Sequence, residues 1–386
     1  MRVLIAHNRY RLTGGEERHV ELLEHGLREA GIDVRRFDRD SDELGGSRRR
    51  RVLTGLGLAY RPGGGGIGPV IEEWKPDVVH FHNIWPLLTA SALRIAKRSS
   101  AAVLLTAHNY RFVCPGGMLL RNGSVHQDCI EGSSLMCALR NPRDSFAESL
   151  TYGIALEAQR RLRMLERWVD AFIAPSSFMA QVIVRAGLPE KRVHVVAYGL
   201  PSSAEPRGFG RSALFFGRLS SEKGVRTVLE AARLVPDIPV VIAGGGPLEP
   251  EVRAAPVTYL GRLDQEGLSG ALDGAAFSLA PSEWYENQPF AVLEAFAAGR
   301  PVIATRLGGL AEIVRHEVTG LSVSPNSPDE LAGAMRRLWF DPTLTRELGT
   351  HAFQDAREKF SLATQVSKLI ALYEETRASV VTRRHA

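Results

Sequence analysis

Residues 281–301 read Pro-Ser-Glu-Trp-Tyr-Glu-Asn-Gln-Pro-Phe-Ala-Val-Leu-Glu-Ala-Phe-Ala-Ala-Gly-Arg-Pro, and Val302-Ile303-Ala304-Thr305 follows. A short apolar run at 276–280 precedes them. The pattern is strand, loop, a helix beginning near Pro289 and stopped at Gly299, then a second strand, which is the repeating unit of a parallel sheet. Working outward, apolar runs of strand length recur at 213–216, 240–243 and 258–260, with helical patterns between them. The first half repeats the alternation: Val3-Leu4-Ile5-Ala6, then Gly14-Gly15, then Val20, Leu22, Leu23 and Leu27 at helical spacing up to Gly31. Further strands are read at 78–81, 103–106 and 171–174, with a helix from Ser177 to Ala186. Strands alternating with helices predict two doubly wound, Rossmann-like α/β domains with helices on both sheet faces.

Residues 199–211, Gly-Leu-Pro-Ser-Ser-Ala-Glu-Pro-Arg-Gly-Phe-Gly-Arg, are rich in breakers and lack periodicity, which marks a linker at 201–211. The expected domains are 1–200 and 212–358, with a C-terminal segment at 359–386 whose apolar stripe (Leu362, Val366, Leu369, Leu372) needs a partner surface. A chain of 386 residues suits two such domains. Hydrophobic residues at 44% and charged residues at 24% exclude a largely disordered or fibrous chain. No uncharged apolar run reaches the ~18 residues of a membrane span, and MRVLIAHNRY has too short an apolar core for a signal peptide. A cytoplasmic protein is expected.

The net charge of +5 is uneven: residues 1–200 hold 28 Lys and Arg against 21 Asp and Glu, and the remainder 20 against 22. The basic half suits an anionic partner, whether phosphate, acidic glycan or membrane surface, or else an Arg-rich solvated surface. Arg48 to Arg51 and the glycines at 63–66 read as a mobile surface loop that touches anionic lipid at the inner face of the plasma membrane or is a solvated charge run. The glycines satisfy a G-x-G-x-x-G spacing but follow Arg61-Pro62 rather than a strand, so the dinucleotide reading fails. No phosphate-binding G-x-x-x-x-G-K-[ST] loop occurs.

Glu286 sits in the loop before the 289–298 helix, and Glu294 lies on that helix among Val292, Leu293, Ala295 and Phe296. A carboxylate in apolar company needs donors, such as sugar hydroxyls; the plainer reading is a helix-start carboxylate and an exposed Glu. Arg218 and Lys223 follow a strand and precede a helix at 225–234, so two cations and free helix N–H groups converge where a diphosphate fits, or form a surface pair.

These motifs together resemble a known family. Glu, seven residues, Glu, then Ala-x-Ala-x-Gly-x-Pro-Val-Ile-Ala-Thr is similar to the retaining glycosyltransferases of sequence family four, which have the GT-B fold of two Rossmann-like domains facing across a cleft. The likeness continues through Leu307-Gly308-Gly309-Leu310-Ala311-Glu312, Phe216-Gly217-Arg218-Leu219-Ser220-Ser221-Glu222-Lys223-Gly224 and Gly14-Gly15. It implies that the first domain binds the acceptor, the second the nucleotide-sugar donor, and that the last helix returns to the first domain. Arg218 and Lys223 would neutralise the leaving diphosphate without a metal. Glu294 would hold the ribose hydroxyls, Glu286 would face the transferred sugar, and Asn287, Gln288, Pro289 and Phe290 would offer backbone N–H groups to donor phosphate and sugar. Gly14 and Gly15 would let backbone approach the donor, although such a pair also makes an ordinary tight turn. His108 would stand against the donor sugar, or else be a satisfied core histidine. Gly245 and Leu263 would wall the nucleoside. Retention implies front-face attack, with the leaving phosphate taking the acceptor proton.

Cys114, His126, Cys129 and Cys137 form Cys-x11-His-x2-Cys-x7-Cys, a ligand set for tetrahedral zinc in a structural role. Three reduced cysteines and a histidine in an irregular insertion are the alternative; the odd count argues against a disulfide framework. The expected activity is transfer of a sugar from a nucleotide-diphosphate sugar to a hydroxyl of a glycan, lipid-linked glycan or natural product, with no cofactor needed for catalysis and no nucleic-acid partner. A non-catalytic nucleotide- or glycan-binding protein of the same fold is the competing reading, and a sugar-nucleotide epimerase of the same fold a weaker one.

Overall fold

The computed structural model describes residues 1–9, 14–44, 57, 59–143, 145–206 and 208–385. They fall into two compact units, one of Met1–Arg121, His126–Ala197 and Gln365–Ala386, the other of Asn122–Val125 and Tyr198–Thr364.

In the first unit the strands β1 (Arg2–Arg9), β2 (Asp33–Asp40), β3 (Val78–Phe81) and β4 (Ala102–Thr106) come before a loop-rich segment with two short strands, β5 (Leu120–Arg121) and β6 (Ser124–Val125), of which β6 is counted with the second unit. β7 (Ala171–Ala174) and β8 (Val193–Val195) complete the order, and one sheet runs β2-β1-β3-β4-β7-β8, parallel throughout. Val3, Leu4, Ile5 and Ala6 of β1 are wholly buried, as a strand covered on both faces requires. β2 reads Asp-Val-Arg-Arg-Phe-Asp-Arg-Asp and lies at the sheet edge, where its charges reach water. The helix Gly15–Glu29 follows β1; it buries Val20, Leu23 and Leu27, with Glu16 and Glu17 in its first turn and Arg28 in its last, as its dipole favours.

The glycines at 63–66 are not in a mobile loop. Gly64–Gly66 form a tight turn leading into the helix Ile67–Trp74, which buries Ile67, Ile71 and Trp74. Gly64 is buried with φ +54°, and a Cβ there would stand 2.7 Å from Ile95 Cδ1 and 2.9 Å from Ala92 Cα, so the glycine lets the chain lie against the helix Thr89–Arg98. Arg48 to Arg51 lie outside the described residues.

The second unit carries β9 (Ala213–Arg218), β10 (Val240–Gly245), β11 (Thr258–Gly261), β12 (Phe277–Ala280), β13 (Val302–Thr305) and β14 (Gly320–Val323). Its parallel sheet runs β11-β10-β9-β12-β13-β14, so the order reverses between β9 and β12. Its core gathers Phe215, Ile242, Phe277 and Ile303 from the sheet and Leu229, Leu331 and Leu338 from the helices Val225–Leu234 and Pro328–Phe340. Residues 199–211, read as a linker, lie within this unit: Leu200 bridges Ser361, and the Gly210 and Arg211 N–H groups donate to Ala275 O (3.0 Å) and Gly274 O (2.9 Å). The final helix, Leu362–His385, is joined to the first unit from Gln365 onward. Tyr373 on it is fully buried, and its hydroxyl bonds His80 Nδ1 at 2.7 Å. Among the described residues no helix is long and apolar enough to cross a membrane.

Candidate active site

In doubly wound sheets ligands bind beyond the carboxyl ends of the strands where the order reverses. In the second unit these are the ends of β9 and β12, and the sequence puts Arg218 and Lys223 after one, and residues 281–288 after the other. An ion pair joins the two segments: Lys223 Nζ donates to Glu286 Oε1 at 2.5 Å, and Ser282 Oγ donates to the same oxygen at 2.9 Å. Glu286 is only 5% exposed, and among the described residues no donor reaches its Oε2. Lys223 Nζ also stands 5.7 Å from the centre of the Trp284 ring. Arg218 is held by Glu222, whose Oε1 accepts from Arg218 Nη2 (2.6 Å) and Ser220 Oγ (2.7 Å). The helix Val225–Leu234 starts two residues after Lys223, so the positive end of its dipole lies at this strand end.

Close packing fixes the two loops. Gly224 has φ +72°, and a Cβ on it would stand 1.9 Å from Pro281 O. A Cβ on Gly309 would lie 1.7 Å from Asn287 O, and Gly309 N–H donates to Glu286 O at 2.7 Å. The Gly308-Gly309 pair after β13 is therefore a backbone rest for the Glu286 loop. Thr305 Oγ1 adds a bond to Ser282 O at 2.6 Å.

Glu294, the fifth residue of the helix Phe290–Ala297, is 8% exposed, and Pro289 caps that helix. Asn287 is buried. The Gln288 side chain anchors the loop whose backbone N–H groups were expected to meet the donor: Tyr198 N–H donates to its Oε1 at 2.6 Å and its Nε2 donates to Tyr198 O at 3.3 Å. The amide thus pairs with both polar groups of a buried stretch of backbone. Phe290 stacks on the Tyr198 ring at 5.7 Å. Gly245 ends β10 with the Arg262 side chain against it, a Cβ there falling 2.4 Å from Arg262 Nε. Leu263 follows β11 and precedes a helix, Gln265–Asp273, capped by Asp264 Oδ1. Beside the site, burial pushes the Glu283 carboxyl above its ordinary value even though Thr227 Oγ1 donates to it at 2.8 Å.

In the first unit Gly14 caps the helix Gly15–Glu29, and its N–H donates to Glu17 Oε2 at 2.8 Å rather than standing open. His108, just beyond β4, belongs to a cluster: its Nε2 bonds His82 Nδ1 at 2.9 Å, and the His19 ring lies 5.0 Å away, edge-on. His80 bonds Thr106 Oγ1 (2.7 Å) in addition to Tyr373, and Gln365 Nε2 donates to His19 Nε2 (2.7 Å), so that nitrogen of His19 is an acceptor. His7, on β1, is fully buried alongside. Burial holds His19 and His80 down to about 3 and His82 and His108 well below the ordinary 6.5, reinforced for all but His80 by neighbouring histidines. His108 is thus a neutral hydrogen-bonding group at pH 7, whose orientation His82 sets. The alternation His80-Phe81-His82-Asn83 at the end of β3 was the available sequence signal for its neighbours.

In the loop-rich insertion the alternative of three reduced cysteines is corrected: Cys129 and Cys137, on the short helices Asp128–Glu131 and Ser134–Leu139, are joined as a disulfide with their Cα atoms 5.9 Å apart, and Cys114 is a buried free thiol. A cavity of about 390 Å³ lined by Phe112, Arg160, Arg163, Leu165 and Leu188 also opens on the first unit, and no residue singled out from sequence lines it.

Two family models match the chain in succession: Glycosyltransferase Family 4 over residues 13–203 and Glycosyl transferases group 1 over residues 210–341. With the two parallel α/β units and the strand-end site, these place the chain in the family-four, group 1 glycosyltransferases, with the two Rossmann-like domains of the GT-B fold. Among curated relatives, the alpha-D-kanosaminyltransferase of Streptomyces kanamyceticus is 29% identical over 218 residues, 50% of this chain and 56% of that one. The chain thus spans little more than half of that relative's length. Among solved structures, the sucrose-phosphate synthase (tll1590) of Thermosynechococcus elongatus superposes with TM-score 0.75 at 20% identity, over 97% of this chain and 99% of that one. Anabaena Alr3699/HepE, solved with UDP and glucose, gives 0.67 at 16% identity, over 97% and 100%. At such identities the likeness is one of fold.

Proposed function

We propose that the chain transfers a sugar from a nucleoside-diphosphate sugar to an acceptor hydroxyl, with retention at the anomeric carbon and without a catalytic metal. The observation that carries this reading is the Lys223–Glu286 pair, which ties the ends of β9 and β12 together beside a helix N-terminus. In that position Lys223, Arg218 and the helix N–H groups supply the positive charge that a departing diphosphate needs, fixed before the bond breaks. Glu286 Oε1 is engaged by Lys223 and Ser282, which leaves Oε2 for a hydroxyl of the transferred sugar and sets a negative charge near the developing oxocarbenium carbon. Glu294, buried on the following helix, takes the ribose hydroxyls. The leaving diphosphate collects the acceptor proton, so no protein base is assigned. The UDP in the Anabaena relative's structure supports a nucleoside diphosphate as the leaving group.

The acceptor is proposed to be a hydroxyl of a glycan or lipid-linked glycan, and the basic first half suits an anionic one. Incubation with a panel of nucleotide sugars and glycan acceptors, read by nucleoside-diphosphate release and by proton NMR of the new anomeric centre, tests the reading. Retained configuration at a rate not raised by added Mg²⁺ or Mn²⁺ is expected. Inversion, or a rate that depends on added metal, would overturn the mechanism; tight donor binding with no release for any acceptor would favour the non-catalytic binding protein.

A further inference from the structure

The insertion between β4 and the helix Phe146–Arg161 has little regular structure: two two-residue strands and helices of four and six residues. Yet four chemically distinctive groups from it converge. Cys114, His126, Cys129 and Cys137 are all buried, and one ligand atom from each lies within 4.8 Å of every other. Cys114 Sγ is 3.5 Å from Cys129 Sγ, and His126 Nδ1 is 4.0 Å from the same sulfur. His126 is 8% exposed, and its Nε2 is buried with no hydrogen-bond partner.

A disulfide between Cys129 and Cys137 accounts for two of these groups and leaves the other two unexplained. An imidazole with an unsatisfied buried nitrogen is costly beside a thiol and a disulfide, which are weak partners for it. A tetrahedral ion with Zn–S bonds of ~2.3 Å sets its sulfurs about 3.8 Å apart, close to the Cys114–Cys129 separation. The spacing of the ligands brings them from four successive turns of chain, so one ion would pin the whole insertion where hydrogen-bonded ladders are short.

We propose that in the reduced protein Cys114, His126, Cys129 and Cys137 hold one zinc ion as a closed structural site. Zn²⁺ displaces three thiol protons and takes one lone pair from the neutral imidazole, so three protons leave for each ion bound. The disulfide form must first accept two electrons and two protons from a thiol reductant. With all four positions filled by protein, no site is open to a substrate, and the ion acts on folding rather than on chemistry. The inference is independent of the transfer reaction.

The test is metal content by mass spectrometry of the full chain purified with a thiol reductant, paired with thiol counting after denaturation in chelator. About one zinc per chain and three reactive thiols are expected, with Cys114→Ser and His126→Ala each cutting zinc content severalfold. Because a variant can fail to fold, Co²⁺ is also exchanged into the unaltered chain: thiolate-to-cobalt charge transfer and tetrahedral d–d bands are expected. No zinc with three free thiols, a single reactive thiol with no zinc, or an octahedral cobalt spectrum would each overturn the proposal.

Discussion

Lys223 and Glu286 are each unremarkable residue types that owe their importance to where two strands end. Replacing Lys223 by Ala leaves a carboxylate at 5% exposure with only Ser282 donating, and an unpaired buried charge costs about 1–3 kcal/mol. Chemical denaturation should record that loss, and the conservative Lys223→Arg should recover part of it. The two carboxylates differ in their expected failures. Glu294→Ala raises the donor dissociation constant or KM with little change in kcat, whereas Glu286→Ala lowers kcat roughly 10²-fold or more with a smaller change in KM, as the loss of an interaction strongest in the transition state does. Small, equal effects of both on rate would remove the site assignment. The placement of both cations after β9 and of both glutamates after β12 was legible in the sequence, because each follows an apolar run of strand length. The use of Gln288 on Tyr198, the support of Arg218 by Glu222, and the bond from Ser282 to Glu286 were not legible, since each is set by loop geometry rather than by spacing.

Among the elements, the loops are held less by hydrogen bonds than by backbone contacts only glycine permits. Gly309→Ala sets a methyl group against Asn287 O and is expected to cost about 2 kcal/mol or more and to lower kcat with it, as the Glu286 loop shifts. Gly333, on the helix Pro328–Phe340, has nothing within 4 Å of its would-be Cβ, and Gly333→Ala should stabilise by about 0.5–1 kcal/mol with activity unchanged. Parallel denaturation curves of the two variants test whether close approach, rather than glycine content, governs. The central strands were readable because burial on both faces makes them continuous apolar runs, as in Val3-Leu4-Ile5-Ala6. β2 escaped because an edge strand tolerates many Arg and Asp residues, and β8 and β14 because Val-His-Val and Gly-Leu-Ser-Val are interrupted by polar residues and give no continuous apolar run. The glycines at 63–66 misled for the opposite reason: composition that suggests a loop was serving a buried turn.

For the molecule as a whole, the histidine cluster sets an acid limit. His19, His80, His82 and His108 stay neutral in the folded chain far below the 6.5 at which unfolded histidine takes a proton. Below that pH the unfolded state binds more protons, so this stability is whole above about pH 6.5 and falls as pH drops, by up to about 1.4 kcal/mol per pH unit for each histidine. Unfolding free energies at pH 7.5 and 5.5 should therefore differ by several kcal/mol; a flat profile would contradict the neutral cluster. Two α/β domains were evident in the alternation, and the strand-loop-helix placement of Glu286 and Glu294 in residues 281–301, while the gathering of histidines was not, because it assembles strand ends far apart in sequence. The central claim is that the β9–β12 strand ends bind a nucleoside diphosphate through Lys223. Its most direct test is the thermal unfolding of the unaltered chain and of Lys223→Ala with UDP, GDP, ADP or dTDP, each far above a micromolar dissociation constant. A ligand at a hundredfold its dissociation constant stabilises by about 2.7 kcal/mol. A rise in melting temperature with one base, lost or sharply reduced in Lys223→Ala, is the expected result; no rise with any of the four, or an equal rise in both proteins, would contradict it.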